Sequence, residues 1–118
     1  MHSPTPHRLA LLLADDSRRA ILALLAAEGA LCVCELIHAL EAPQPRVSQH
    51  LARLRAAGAV VVRRIANRNY YRLADDLEAW VLAVLDGYRS GLEAAGELDR
   101  LRARLAAMAD RPPRLEAA

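Results

Sequence analysis

Two prolines one residue apart, Pro43 and Pro45, stand between two short apolar stripes of helical period. Proline breaks a helix interior yet suits a first helical turn. Glu41-Ala42-Pro43-Gln44-Pro45 must therefore be a tight break that stops one helix and opens the next. The helix before it spans roughly residues 33–40, with Leu36 and Leu40 one turn apart. The helix after it runs to about Ala57, and Gly58 stops it. At 100° per residue, Val47, Leu51 and Leu54 lie within about 40° of their neighbours, while Arg46, Gln49 and Arg53 project from the other side.

The flanking segments extend this pattern. Pro6 opens a first helix that places Leu9, Leu12 and Leu13 on one face. Asp15-Asp16-Ser17 supplies the cap of a second, whose stripe is Ile21, Leu22 and Leu25 and whose end is Gly29. Downstream, the β-branched run within residues 59–65 predicts a strand, Ala66-Asn67-Arg68-Asn69 a turn, and Tyr70-Tyr71-Arg72-Leu73 a returning strand. From about Asp76 the helical period resumes through Leu77, Trp80, Val84 and Tyr88, and reappears at Leu98, Leu101 and Leu105. Gly91 and Gly96 leave open whether this is one helix or two. Residues 1–118 read as a single domain, with 1–5 and 110–118 as loose ends. Helix, helix, tight turn, helix, hairpin is the winged helix-turn-helix order, mainly α with a β-hairpin.

Charge narrows the function. Sixteen basic residues, all arginine, face fourteen acidic ones, a formal charge of +2. A nucleic-acid site must then come from local clustering, not a uniform field. The second helix of the pair offers Gln44, Arg46, Ser48, Gln49 and Arg53, with His50 beside them for a DNA-backbone contact or a packing role. Arginine bonds guanine edges or phosphates, glutamine bonds adenine, and serine permits close approach. Arg63, Arg64 and Arg68 on the hairpin add phosphate or minor-groove contacts. A solvated face of an ordinary domain would carry similar charges; the order of the elements favours double-stranded DNA. No run of eighteen apolar residues is free of charge, and the first residues lack a signal core, so no membrane span and a cytoplasmic location are expected. Neither a glycine-rich phosphate loop, a Gly-x-Ser-x-Gly nor a Cys-x-x-Cys is present, so no enzyme and no catalytic cofactor are expected.

Cys32 and Cys34, the two cysteines, sit at the start of the third helix. A disulfide between such close positions would be strained. The plain reading is two small buried hydrophobes. The functional one is a soft-ion site: a helix N-terminus lowers thiol pKa, and thiolates select trivalent arsenic or antimony, cadmium, mercury or zinc. On a regular helix residues i and i+2 point about 200° apart, so gripping one ion would need a distorted helix start. His38, one turn after Cys34, is a further candidate that would make a Cys₂His set suited to zinc or cadmium. His2 and His7 are weaker candidates.

These segments resemble the ArsR/SmtB family of metal-responsive bacterial repressors, of the arsenic-sensing type. The resemblance rests on Ser17-Arg18-Arg19-Ala20-Ile21-Leu22, on Leu31-Cys32-Val33-Cys34-Glu35-Leu36, on residues 44–58 with their Ser48-x-His50-Leu51-x-x-Leu54-x-x-x-Gly58 core, and on Tyr70-Tyr71-Arg72-Leu73. It covers roughly residues 8–90. It implies a homodimer through the first and last helices, a palindromic operator, and release of DNA when an inducer binds. Leu9, Leu12, Leu13, Trp80, Val84 and Tyr88 are the expected interface, and the long stripe of residues 77–108 agrees with a dimer. The inducer so implied is trivalent arsenic or antimony at Cys32 and Cys34. Arsenic sensors of this type often place a third cysteine where this chain has Ile37, which cannot ligate. The alternatives are the same repressor sensing zinc, cadmium or thiol oxidation, a small thiol enzyme, and a winged-helix module that binds protein.

Overall fold

The computed structural model describes residues 3–115. Helix α1 (Pro6–Leu13) starts at Thr5, whose hydroxyl accepts the Arg8 N–H, and Pro6 sits in its first turn as expected. Helix α2 (Asp16–Glu28) is capped by Asp15, which accepts the N–H groups of Ser17 and Arg18 at 2.8 and 3.1 Å. These bonds satisfy two of the donors that every helix start leaves without partners.

Strand β1 (Ala30–Cys32) leads directly into α3 (Val33–Leu40). The break is as tight as the prolines demand: α3 ends on Glu41 in the left-handed region, and α4 (Gln44–Ala56) begins after Pro43. Then come β2 (Val60–Ile65) and β3 (Arg68–Leu73), joined by Ala66 and Asn67 with φ of 50° and 66°. Two successive positive φ values make the tight hairpin turn that matches strand twist. The turn is thus two residues long, and Arg68 and Asn69 belong to the strand. The sheet has the order β1-β3-β2, all antiparallel, with Cys32 opposite Tyr70 and Val62 opposite Tyr71. β1 escapes a sequence reading because its three residues gain their partners only from β3, some forty residues later.

The C-terminal stripe is divided between α5 (Ala79–Ala94) and α6 (Glu97–Ala106). Gly96 supplies the break with a φ of 80°, a conformation that costs glycine little. α2 runs through the middle of the core, where Ile21, Leu22, Leu24 and Leu25 are at most 1% exposed. α5 packs on it from one side, and α6 turns back onto α2 and α3.

Two expectations need correction. The stripe of residues 77–108 is mostly not free for a partner: Leu77, Val81, Leu85, Leu98, Leu101 and Leu105 are buried in the chain's own core. The reason is the turn at Gly96, which lets α6 cover α3. Leu9, Leu12 and Leu13 are likewise buried within the chain, and Leu11 is the exposed leucine of α1. The expected loose ends are also docked where they are described. Pro4 is buried and the Ser3 hydroxyl accepts the Glu78 N–H at 3.2 Å. After α6 the described residues form no regular element, yet Pro112 is buried and Arg111 and Arg114 reach carboxylates of α2 and α3.

Candidate nucleic-acid interface and thiol site

α4 turns Val47, Leu51 and Leu54 into the core, each at most 1% exposed. Helical geometry then forces Gln44, Arg46, Ser48, Gln49 and Arg53 outward, and all five are exposed. Arg63, Arg64 and Arg68 are exposed on the hairpin, where Arg64 donates to the Asn69 side chain at 3.2 Å. Arg63 and Arg64, as neighbours on a strand, point to opposite faces of the wing. Among the described residues, Arg46, Arg53, Arg63 and Arg68 make no ion pair with a carboxylate.

His50 departs from its group. Its position at 100° per residue lies about 40° from the buried Leu54, at the edge of the core face. The ring faces α2, with Nδ1 3.3 Å from the Arg18 guanidinium and Nε2 3.6 Å from the Asp15 carboxylate. Arg18 in turn donates to the carbonyls of Leu11 and Leu12. This chain of contacts fastens the outward-facing helix to α1 and α2, so His50 has a packing role. Burial alone would raise the Asp15 carboxyl, but the Arg18 N–H, the His50 ring, the Ser17 N–H and the Arg18 charge outweigh it and hold it below 3.8.

Cys32 and Cys34 converge. Cys32 is the N-cap of α3 and has extended φ and ψ of −68° and 149°, so it stands outside the helical spiral. Its sulfur accepts the Cys34 thiol at 2.8 Å. The expectation that both sulfurs could meet only through a distorted helix start is therefore corrected: the strand-to-helix corner already brings them together. The expected lowering of thiol pKa is also reversed. Burial pushes the Cys34 thiol up to about 11, helped by its bond to the Cys32 sulfur and by the charges of Cys32 and Glu35. These influences outweigh the lowering by the Glu35 backbone N–H.

His38 is exposed, and among the described residues no three His, Cys, Asp or Glu side chains converge as a metal set. The structure does not bring His38 to the two sulfurs. His7 is exposed on α1, and His2 lies outside the described residues.

Sequence reasoning missed Glu35. It is 3% exposed, and its Oε1 accepts the Cys32 N–H at 2.8 Å. A Glu three residues after an N-cap is the capping-box spacing, so the signal was present in Cys32-x-x-Glu35. It also missed Glu28, 8% exposed, on which Arg102, Arg111 and Arg114 converge. That cluster joins residues more than seventy positions apart, and no local pattern announces it.

A helix, a tight turn and a second helix with outward arginines, followed by a two-stranded wing, define a winged-helix DNA-binding protein. No helix is long and apolar enough to cross a membrane among the described residues. The model of the bacterial regulatory protein arsR family matches residues 15–61, from the cap of α2 into β2. An arsenic resistance transcriptional regulator of Pseudomonas putida is 48% identical over 85% of this chain and 77% of its own length. The arsenical resistance operon repressor of Escherichia coli is 41% identical over 69% of each chain. Among solved structures, the AntR antimony-specific transcriptional repressor matches with a TM-score of 0.61 and 31% identity, over 75% of this chain and 78% of that one. This chain belongs to the ArsR family: it is a transcriptional repressor, not an enzyme.

Proposed function

We propose that this repressor binds a palindromic operator as a homodimer and releases it when trivalent arsenic or antimony joins the sulfurs of Cys32 and Cys34. The carrying observation is the 2.8 Å approach of the two sulfurs at the cap of α3, the helix that supports the DNA-facing α4. A ligand there acts on the first helix of the reading pair. The names of the relatives, arsenic resistance regulators and an antimony-specific repressor, support that class of ligand. The chemistry is balanced without redox change. Each thiol forms a sulfur–arsenic bond as one hydroxyl leaves arsenous acid, and the thiol proton departs with it as water. Ile37 cannot supply a third sulfur, so the remaining hydroxyl stays on arsenic.

Gln49 and Arg46 would read base edges and the wing arginines would hold phosphates. The dimer face is smaller than the sequence implied. It comprises the exposed Leu11, Leu82 and Tyr88 and a groove of about 480 Å³ lined by Pro6, Leu9, Leu13, Trp80, Val84 and Tyr88.

X-ray absorption at the arsenic edge of the arsenite-loaded protein tests the site. Two sulfur neighbours and one oxygen per arsenic are expected, with both sulfurs lost in Cys32→Ser/Cys34→Ser. Oxygen neighbours alone would refute the reading.

A further inference from the structure

The second carboxylate oxygen of Glu35 leads away from the thiol site to the end of the chain. While Oε1 holds the Cys32 N–H, Oε2 accepts Nε of Arg111 at 2.7 Å. One buried carboxylate thus links the N-cap turn to a residue 76 positions later. Arg111 also stands 3.6 Å from Glu28, which holds Arg102 at 2.7 Å and Arg114 at 3.1 Å. Pro112 is buried beside it, and two successive prolines stiffen the segment. The opposite end of α3 is held as well: Arg104 of α6 donates to the Ala39 carbonyl at 2.8 Å and pairs with Glu41 at 3.4 Å. α6 and the segment that follows it therefore hold α3 at both ends.

A ligand held by both sulfurs must sit at the strand-to-helix corner itself. For zinc, with metal–sulfur bonds of about 2.3 Å in tetrahedral array, two sulfurs on one ion stand roughly 3.8 Å apart. Seating a ligand therefore re-sets the spacing of the corner. A shift of the Cys32 backbone would disturb the bond from its N–H to Glu35, which Arg111 holds in turn.

We propose that residues 108–115 form a latch on the thiol site, with Arg111 as its positioning residue acting through Glu35. Opening the cap for a metalloid loosens the latch, so the latch opposes induction. This inference rests on the two-sulfur reading above. Coupling is reciprocal: if the ligand loosens the arm, a loosened arm tightens the ligand by the same factor.

Equilibrium dialysis of arsenite against the full chain, with hydrogen exchange of the same samples, tests it. Arg111→Gln is expected to bind arsenite about 5-fold or more tighter than the unaltered chain. Arg111→Lys is expected to fall between them, because an ammonium cannot reproduce the fork of a guanidinium. Arg114→Gln, on the same arm but bound among the described residues to Glu28 and not to Glu35, is expected to leave arsenite affinity unchanged. That control separates the latch from a general loss of stability. Arsenite is expected to speed amide exchange at residues 108–115. Equal or weaker arsenite binding by Arg111→Gln, or by Arg111→Lys should the former not fold, would overturn the latch while sparing the thiol site. Exchange at 108–115 unmoved by arsenite would do the same. An unaltered chain that binds no arsenite would sink both readings.

Discussion

Arginine meets opposite fates in two regions of this molecule. On α4 and the wing, Arg46, Arg53, Arg63 and Arg68 are exposed and face no carboxylate among the described residues. On α6 and the C-terminal arm after it, Arg102, Arg104, Arg111 and Arg114 are each committed to Glu28, Glu35 or Glu41. The same side chain serves recognition in one place and fastening in the other. A near-neutral chain can therefore present a basic face, because Glu28, Glu35 and Glu41 pair with these C-terminal arginines instead. The net charge of +2 hides this division.

The comparison breaks most visibly at the arm. Glu28 is buried and faces three guanidiniums, so Glu28→Ala is expected to cost about 2–3 kcal/mol in urea unfolding, below the range for fully buried pairs because its partners are partly exposed. A loss under 0.5 kcal/mol would show that the cluster is ornamental. On the DNA face the pattern should invert. Arg46→Ala or Gln49→Ala is expected to weaken operator binding by about 1–3 kcal/mol, with stability within about 0.5 kcal/mol of the unaltered chain. Arg63→Ala should reduce the slope of log K against log salt by about one unit, as for a lost phosphate contact.

Asp15 sharpens the comparison, being the acid that stands near α4 without cancelling its outward arginines. Its carboxyl is held below 3.8 in the folded chain, so it binds protons more weakly there than when unfolded. Its contribution is present above pH 3.8 and is lost as pH falls through the lowered folded value. The side chain is 38% exposed, so water screens it and Asp15→Ala is expected to cost about 1 kcal/mol at pH 7. Acid titration of the variant should show a shallower fall in stability in that window. The smallest effect belongs to the wing tip. Ala66 has a φ of 50°, and Ala66→Gly is expected to stabilise the hairpin by about 0.5 kcal/mol without changing DNA affinity.

The two regions also differ in how far the sequence revealed them. α2, α3 and α4 were legible because their signals are local: Asp15 as cap, apolar residues one turn apart, and prolines at the break. The outward face of α4 followed from the same period. The arm was not legible. Leu98, Leu101 and Leu105 form a stripe that would suit a partner subunit as well as the chain's own α3, and only the turn at Gly96 decides. Arg111 and Arg114 lie among prolines after the last helix, where a loose end is the ordinary inference. Their order comes from carboxylates that the fold brings from 76 and 86 residues away. The cysteine pair falls between these cases. Its position was read correctly, but its geometry depends on β1, a strand too short to show itself without β3.

The central claim is that the two sulfurs at the cap of α3 govern DNA binding by α4. Fluorescence anisotropy of duplex DNA from upstream of the chain's own coding sequence, at one fixed salt concentration, tests it most directly. Arsenite is expected to weaken binding by about 5-fold or more in the unaltered protein and to leave Cys32→Ser/Cys34→Ser bound. Tight binding that arsenite leaves untouched in both proteins, or release that survives in the variant, would contradict the claim.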